Sequence, residues 1–204
     1  MGLFCTLVRI RYMILAASMN LDELGAVEDS LTRLKEGDLD ALASVMAQYQ
    51  HRLYRFLFRL AQDPTLADDL FQQTWLRVME RIGRYDARRQ FAPWLFSVAR
   101  NLAIDTLRQG RLASLDAVED SGVAPIDRLA AAERDPLEQL LEFERGAALV
   151  SALAELPVIH REVLTLRFEE EMKLEQIAEV IDVPLSTVKS RLTRALEGLR
   201  GRLR

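Results

Sequence analysis

With 204 residues, half of them hydrophobic and 28% charged, the chain can bury a core in one domain or in two and should be soluble. Its net charge of −4 excludes a protein that coats nucleic acid indiscriminately. The single cysteine, Cys5, rules out an internal disulfide and a cysteine-built zinc site, and His51 and His160 stand in no metal-ligand spacing, so no metal or other cofactor is expected.

The total charge hides a pattern. Residues 1–50 carry 4 cations and 7 anions, residues 51–111 carry 11 and 6, residues 112–149 carry 3 and 9, and residues 150–204 carry 9 of each. From Val183 onward, 6 cations stand against one anion. Two basic stretches are thus separated by an acidic one, and a phosphate backbone responds to such local fields rather than to the sum.

In chain order, the opening "MGLFCTLVRIRYMILAASMN" is apolar but too short to span a bilayer, and Arg9 and Arg11 interrupt it. Its charges do not precede the apolar run as they would in a secretory signal. A start codon assigned too early is the preferred account, with Met13 or Met19 in place of Met1, and residues 1–20 are expected to be a non-native or disordered extension.

The rest reads as helix. Strand alternation is missing, and only 9 Gly and 6 Pro interrupt the chain. A first amphipathic segment ends with Leu31 and Leu34 and is broken at Glu36 to Asp38. From Leu39 to about Ala61, Leu42, Val45, Met46, Tyr49, Leu53, Phe56, Leu57 and Leu60 make one wide apolar stripe. Asp63–Pro64, a capping side chain ahead of proline at the first helical position, opens the next helix. That helix should run to about Gly83, with Leu66, Leu70, Thr74, Val78 and Ile82 every four residues and Phe71, Trp75 and Met79 beside them. A further helix from about Ala92 to Gln109 gathers Phe91, Leu95, Val98, Ala99 and Leu102 on one side. Ser97, Arg100, Asn101, Arg108 and Arg111 fall on the other, where Ile104 is out of place. Trp94, beside the apolar face, is expected in the core. From Leu112 to about Leu141 the periodicity fails in an acidic run broken by Gly122, Pro125 and Pro136, which reads as a linker. A helical block follows from about Glu142 to Arg204.

Within that block, Leu174, Ile177, Ala178 and Ile181 fall on one face of a short helix. After a tight turn, Val188, Leu192, Ala195 and Leu199 form the inward stripe of a second. The opposite side of the second helix holds Ser186, Ser190 and Thr193, with Thr187 and Arg194 next to them and Lys189 and Arg191 on opposite flanks. Short hydroxyls and a long arginine suit base edges, flanking cations suit phosphates, and the free N–H groups of the first turn suit another phosphate. A soluble helix hairpin with a solvated basic face would show the same periodicity.

The run "LPVIHREVLTLRFEEEMKLEQIAEVIDVPLSTVKSRLTRALEGLR" resembles region 4 of bacterial sigma factors of the extracytoplasmic-function group. "GDLDALASVMAQYQHRLYRFLFRLAQDPTLADDLFQQTWLRVMERIGRYD" and then "FAPWLFSVARNLAIDTLRQGR" resemble region 2 of that group. Together they cover Leu24–Arg111 and Leu149–Arg204. The resemblance implies an all-α fold of two small helical domains, sigma region 2 over residues 21–111 and sigma region 4 with its helix-turn-helix over residues 142–204. A flexible acidic linker, residues 112–141, would join them. It implies a cytoplasmic, non-catalytic promoter-specificity subunit with core RNA polymerase and promoter DNA as partners, an anti-sigma factor as a further one, and no insertion into a membrane. Region 2 would recognise and melt the minus-ten element, and region 4 would read the minus-thirty-five element.

Carried over by motif, "DDLFQQTWLR" corresponds to the polymerase-binding helix, with Asp69, Gln72 and Gln73 on one face. Family members commonly have Glu where Gln73 stands, so one charge of that contact is missing. "ARNLAIDTLR" corresponds to the minus-ten face, with Arg100, Asn101, Arg108 and Arg111 holding the melted strand. Ser186, Thr187, Lys189, Ser190, Arg191 and Arg194 correspond to the minus-thirty-five face. Where the family often has Gly the chain has Glu171, and where it often has Ser or Thr the chain has Lys173. A side-chain cap worth about 0.5–2 kcal/mol is thereby absent. The acids Glu169 to Glu171 are expected to compensate through the helix dipole, and the helix start is expected to fray. The acidic linker would either occupy a basic polymerase channel as RNA would, or serve as a solvated tether. The competing reading is a stand-alone helix-turn-helix regulator that footprints a palindrome without polymerase. A nucleic-acid enzyme would need a cluster of carboxylates, histidines or metal ligands, and the sequence offers none.

Overall fold

In the computed structural model of the protein, residues 29–38, 40–86, 88–113, 146 and 148–203 are described. The N-terminal extension and all but the first two linker residues lie outside them. Helices make up the fold, and no strand occurs among the described residues.

The first helix, α1 (residues 29–35), ends at Gly37, whose φ of +94° supplies the turn. The Arg33–Asp38 ion pair at 2.6 Å closes that turn, and Asp38 Oδ1 accepts the Asp40 N–H at 2.9 Å to start the next helix. Helix α2 (Asp40–Ala61) buries Val45, Tyr49, Leu53, Phe56, Leu57 and Leu60, the stripe read from the sequence. Asp63 Oδ1 then accepts the Leu66 N–H at 3.0 Å, and Pro64 opens α3 (Pro64–Arg81), which buries Ala67, Leu70, Thr74, Trp75 and Val78. Inside, the Thr74 hydroxyl donates to Leu70 O at 2.7 Å, so a polar group sits in the core with its bond made. Met79, placed beside the apolar stripe by its spacing, is exposed instead.

Helix α4 (Phe91–Ala113) runs four residues beyond Gln109. One glycine, Gly110, costs a helix only about 1 kcal/mol, and the Arg, Leu and Ala that follow propagate it. The rings of Tyr49 and Phe91, Phe56 and Phe96, and Tyr85 and Trp94 meet at centroid distances of 5.3, 5.1 and 5.1 Å. Trp94 packs half-buried against the core, as its position suggested.

The C-terminal half comprises α5 (residues 148–154), α6 (Val158–Leu164), a π-helical turn (Thr165–Glu169) that continues α6, α7 (Leu174–Ile181) and α8 (Leu185–Arg202). Asp182, with φ of +51°, caps α7 in the left-handed conformation, and its N–H donates to Ala178 O. That residue makes the tight turn of the corner. Ile177, Val180 and Ile181 of α7 and Val188, Ala195 and Leu199 of α8 are buried. Glu171 has φ of +56°, in the left-handed region that favours glycine; that conformation costs a side-chain residue about 1–2 kcal/mol.

The two helical domains also pack against one another in this structure. Val163, Leu166, Met172, Ile177 and Val188 belong to one continuous core with Phe56, Leu95 and Phe96, while Ala152, Leu153, Leu156, Leu164, Ala195 and Leu199 form a smaller core of the C-terminal half alone. A polar seam borders the shared core. Arg52 Nε meets Glu170 Oε2 at 2.9 Å, and Arg59 Nε meets Glu169 Oε1 at 3.0 Å. Glu169 and Glu170 therefore face the first half rather than the start of α7, which corrects the expectation that they offset a missing cap. That start is held another way: the Lys173 N–H donates to Gln176 Oε1 at 2.7 Å, the return half of a capping box, a bond that opposes fraying.

Candidate nucleic-acid and polymerase interfaces

The corner formed by α7 and α8 presents α8 as a helix with one face buried and the other open. Because Val188, Ala195 and Leu199 point inward, Ser186, Lys189, Ser190, Thr193 and Arg194 are exposed, and Thr187 is half-buried. No side chain caps the first turn of α8; the Thr187 and Val188 N–H groups turn back to Pro184 O, and those of Leu185 and Ser186 are left for a phosphate. Ser190 Oγ donates to Thr187 O at 3.0 Å and Thr193 Oγ1 to Lys189 O at 3.1 Å, so each hydroxyl keeps its acceptor lone pairs toward solvent. Burial, and then the nearby Arg194 and Arg191, lower the pKa of His160 and keep it neutral, so it adds no charge to this face.

Arg191 departs from the expected arrangement. Its Nη1 turns back to Glu162 Oε1 at 3.1 Å, and the side chain is 22% exposed. Arg100 of α4 does the same from the other half, with Nε at 3.1 Å from Glu162 Oε2 and 16% exposure. Both were read as free cations on basic faces, and both are instead joined to one carboxylate with no solvent exposure. Burial pushes the Glu162 carboxyl up, against the pull of Arg100 and Arg191. Burial does the same to Glu170, opposed by Arg52 and Arg55. Of the remaining α4 residues, Asn101 and Arg108 are exposed, whereas Arg111 lies where side chains are not described.

On the far side of the first half, α3 exposes Asp69, Gln72 and Gln73. Leu76, 54% exposed, extends their row by one turn, and Met79 follows. The sequence reading missed Leu76 and Met79, although Leu76 falls at i+7 from Asp69 and off the buried stripe. It also missed Glu162, whose signal was a lone acid within the apolar run around Val163 and Leu164.

Arg161, next to Glu162, is buried without a carboxylate among its hydrogen-bond partners. Its guanidinium donates to Ala154 O at 2.7 Å, Leu156 O at 3.2 Å and Leu60 O at 3.1 Å. Burial, with repulsion from Arg59, pushes it down to about 10, so it stays charged at neutral pH. Among the described residues no cluster of three metal-ligating side chains occurs, and no helix is long and apolar enough to cross a membrane.

Residues 45–112 match the sigma-70 region 2 family and residues 152–201 match the sigma-70 region 4 family. The ECF RNA polymerase sigma factor SigW of Bacillus subtilis is 27% identical over 181 residues, covering 87% of this chain and 97% of that protein. SigM of the same organism, also an ECF RNA polymerase sigma factor, is 31% identical over 156 residues, covering 76% of this chain and 91% of SigM. The fold is that of the sigma factor RpoE from Bartonella quintana, solved with the anti-sigma factor NepR, at a TM-score of 0.66 and 22% identity, over 79% of this chain and 96% of that one. Two sigma-70 regions in order, with relatives matched over nearly their whole length, identify the chain as a member of the ECF group of sigma-70 family RNA polymerase sigma factors, which direct promoter-specific transcription initiation.

Proposed function

We propose a division of labour among three surfaces of this sigma factor. The region 2 unit, residues 21–111, docks on core RNA polymerase through Asp69, Gln72, Gln73 and Leu76 of α3. It engages the minus-ten element through Arg100, Asn101, Arg108 and Arg111. The region 4 unit, residues 142–204, reads the minus-thirty-five element through Ser186, Thr187, Lys189, Ser190, Arg191 and Arg194. The acidic segment from residue 112 to 141 joins them. The role is non-catalytic and cytoplasmic: the chain contributes binding energy to promoter opening, and polymerase makes the phosphodiester bonds. An anti-sigma factor is a further partner, as the NepR complex of RpoE illustrates for that protein.

The observation that carries this reading is the exposed row of hydroxyls and cations on α8 over a fully packed inner stripe. Transcription in vitro with core polymerase, on a cognate promoter and on variants at single upstream positions, tests it. Arg194→Ala should cost about 1–3 kcal/mol, confined to one or two upstream positions, as for a lost bidentate base contact. Lys189→Ala should weaken binding evenly across sequences and lower the salt slope by about one unit. Normal initiation by both variants would remove α8 from the promoter. A repressor reading would instead require a footprint without polymerase.

For the polymerase surface, Leu76→Asp should weaken capture of core enzyme by about 2 kcal/mol, the scale of an interface hot spot, with helix content unchanged. Fluorescence anisotropy of labelled chain titrated with core enzyme measures it, and unchanged affinity would move the docking face elsewhere.

A further inference from the structure

We propose that a small cavity among α2, α5 and α6 is a binding site for one halide-sized monovalent anion, chloride or bromide, held by the buried guanidinium of Arg161 with help from Arg59 and Gln62. The site is separate from the promoter and polymerase surfaces assigned above and does not depend on them. The cavity measures about 20 Å³ and is lined by Phe58, Arg59, Gln62, Val150, Ala154 and Arg161. About 10–15 Å³ suffices for one water-sized guest, so the space takes a single small occupant. A monatomic halide is only slightly larger than water and fits with little adjustment. A carboxylate, a phosphate or a nucleotide does not.

The charge balance favours an anion. Arg161 is 6% exposed, its hydrogen bonds go to the carbonyls of Ala154, Leu156 and Leu60, and its Nε is a buried donor without a partner. Arg59, the charged neighbour that acts on it, repels it. Arg59 is itself matched by Glu169 at 3.0 Å. Two cations and one carboxylate leave one positive charge unopposed, and carbonyl dipoles offset it only in part. A buried charge without a counter-charge is unfavourable, so a monovalent anion beside Arg161 relieves what the protein's own acids leave standing.

Hydrogen bonding separates an anion from water. A buried water needs acceptors for its two protons as well as donors. Around this cavity the donors are in excess. Arg161 Nε is free, and arginine and a glutamine amide nitrogen bring further N–H groups. Ala154 O already accepts from Gln62 Nε2 at 2.6 Å and from Arg161 Nη1 at 2.7 Å, which uses both of its lone pairs. The Phe58, Val150 and Ala154 side chains offer no acceptor. A halide only accepts, tolerates apolar neighbours on its other sides, and suits such a lining.

Unfolding of the full chain in chloride and in gluconate, at constant ionic strength, tests this. Gluconate carries the same charge and is too bulky to enter. Exchanging it for chloride up to about 200 mM should lower the unfolding equilibrium constant about tenfold and then level off, as for a dissociation constant of about 20 mM. A general salt effect would not saturate and would favour the more strongly hydrated gluconate. Ala154→Leu fills the cavity with Arg161 still in place and should abolish the chloride increment. Crystals of the full chain grown in bromide should show an anomalous scattering peak beside Arg161 Nε. Equal stability of the parent chain in the two anions would overturn the site, as would an undiminished increment in Ala154→Leu. A cavity that holds water and no bromide would overturn it as well.

Discussion

Phe56→Ala should lower the unfolding free energy by about 3–5 kcal/mol, the cost of emptying a fully buried aromatic site. The ring is completely enclosed and meets Phe96 edge-on at 5.1 Å, so both its transfer energy and a paired-ring contact are lost. Because small proteins hold only about 5–15 kcal/mol in total, the loss is a large fraction of what keeps the chain folded. The urea midpoint should fall with the slope unchanged. Phe58→Ala, two residues on and half-buried, removes far less packed surface and should cost under half as much. Equal losses at the two positions would mean that the shared core does not govern stability.

Arg161→Ala should cost about 2–4 kcal/mol through a different route. The guanidinium serves carbonyls at the C-terminal ends of α2 and α5, where unpaired oxygens and the negative ends of two helix dipoles collect. Ala154 O keeps its bond from Gln62 at 2.6 Å, but Leu60 O and Leu156 O lose the arginine that serves them. Arg161→Lys keeps the charge yet cannot span three carbonyls on two halves of the protein, so it should recover less than half of the loss. The depressed guanidinium value has a sign. Stability linked to it is gained only as the group loses its proton above about 10, so between about pH 6 and pH 8 Arg161 should leave the unfolding free energy flat. Denaturation of the two variants across that range checks both statements.

The individual helices were legible in the sequence because their causes are local. Spacing of three and four revealed the α2 stripe, and Asp63–Pro64 marked the start of α3 through a cap that forms as read. The inward row of α8 likewise emerged from periodicity alone. What periodicity cannot give is the identity of the surface against which a face is buried. Arg100 and Arg191 lie on the polar sides of their helices, as read, but their heads are claimed by a carboxylate 62 and 29 positions away. Glu169 and Glu170 were assigned to the nearest helix end, whereas their partners Arg59 and Arg52 are 110 and 118 residues distant. One clue was available: Arg52, Arg55 and Arg59 recur at helical spacing beside the apolar stripe of α2, a cationic row that calls for acids from elsewhere in the chain.

The π-helical turn at Thr165–Glu169 accommodates one residue more than an α-helix of the same pitch would. If the same five residues wound instead as ordinary α-helix, everything downstream would swing by about 100° around the axis. Glu169 and Glu170 would then aim away from α2, and α7 and α8 would re-enter at a new angle. The extra residue thus works as an indexing pin, setting which compass bearing the reading head takes from the body that carries it.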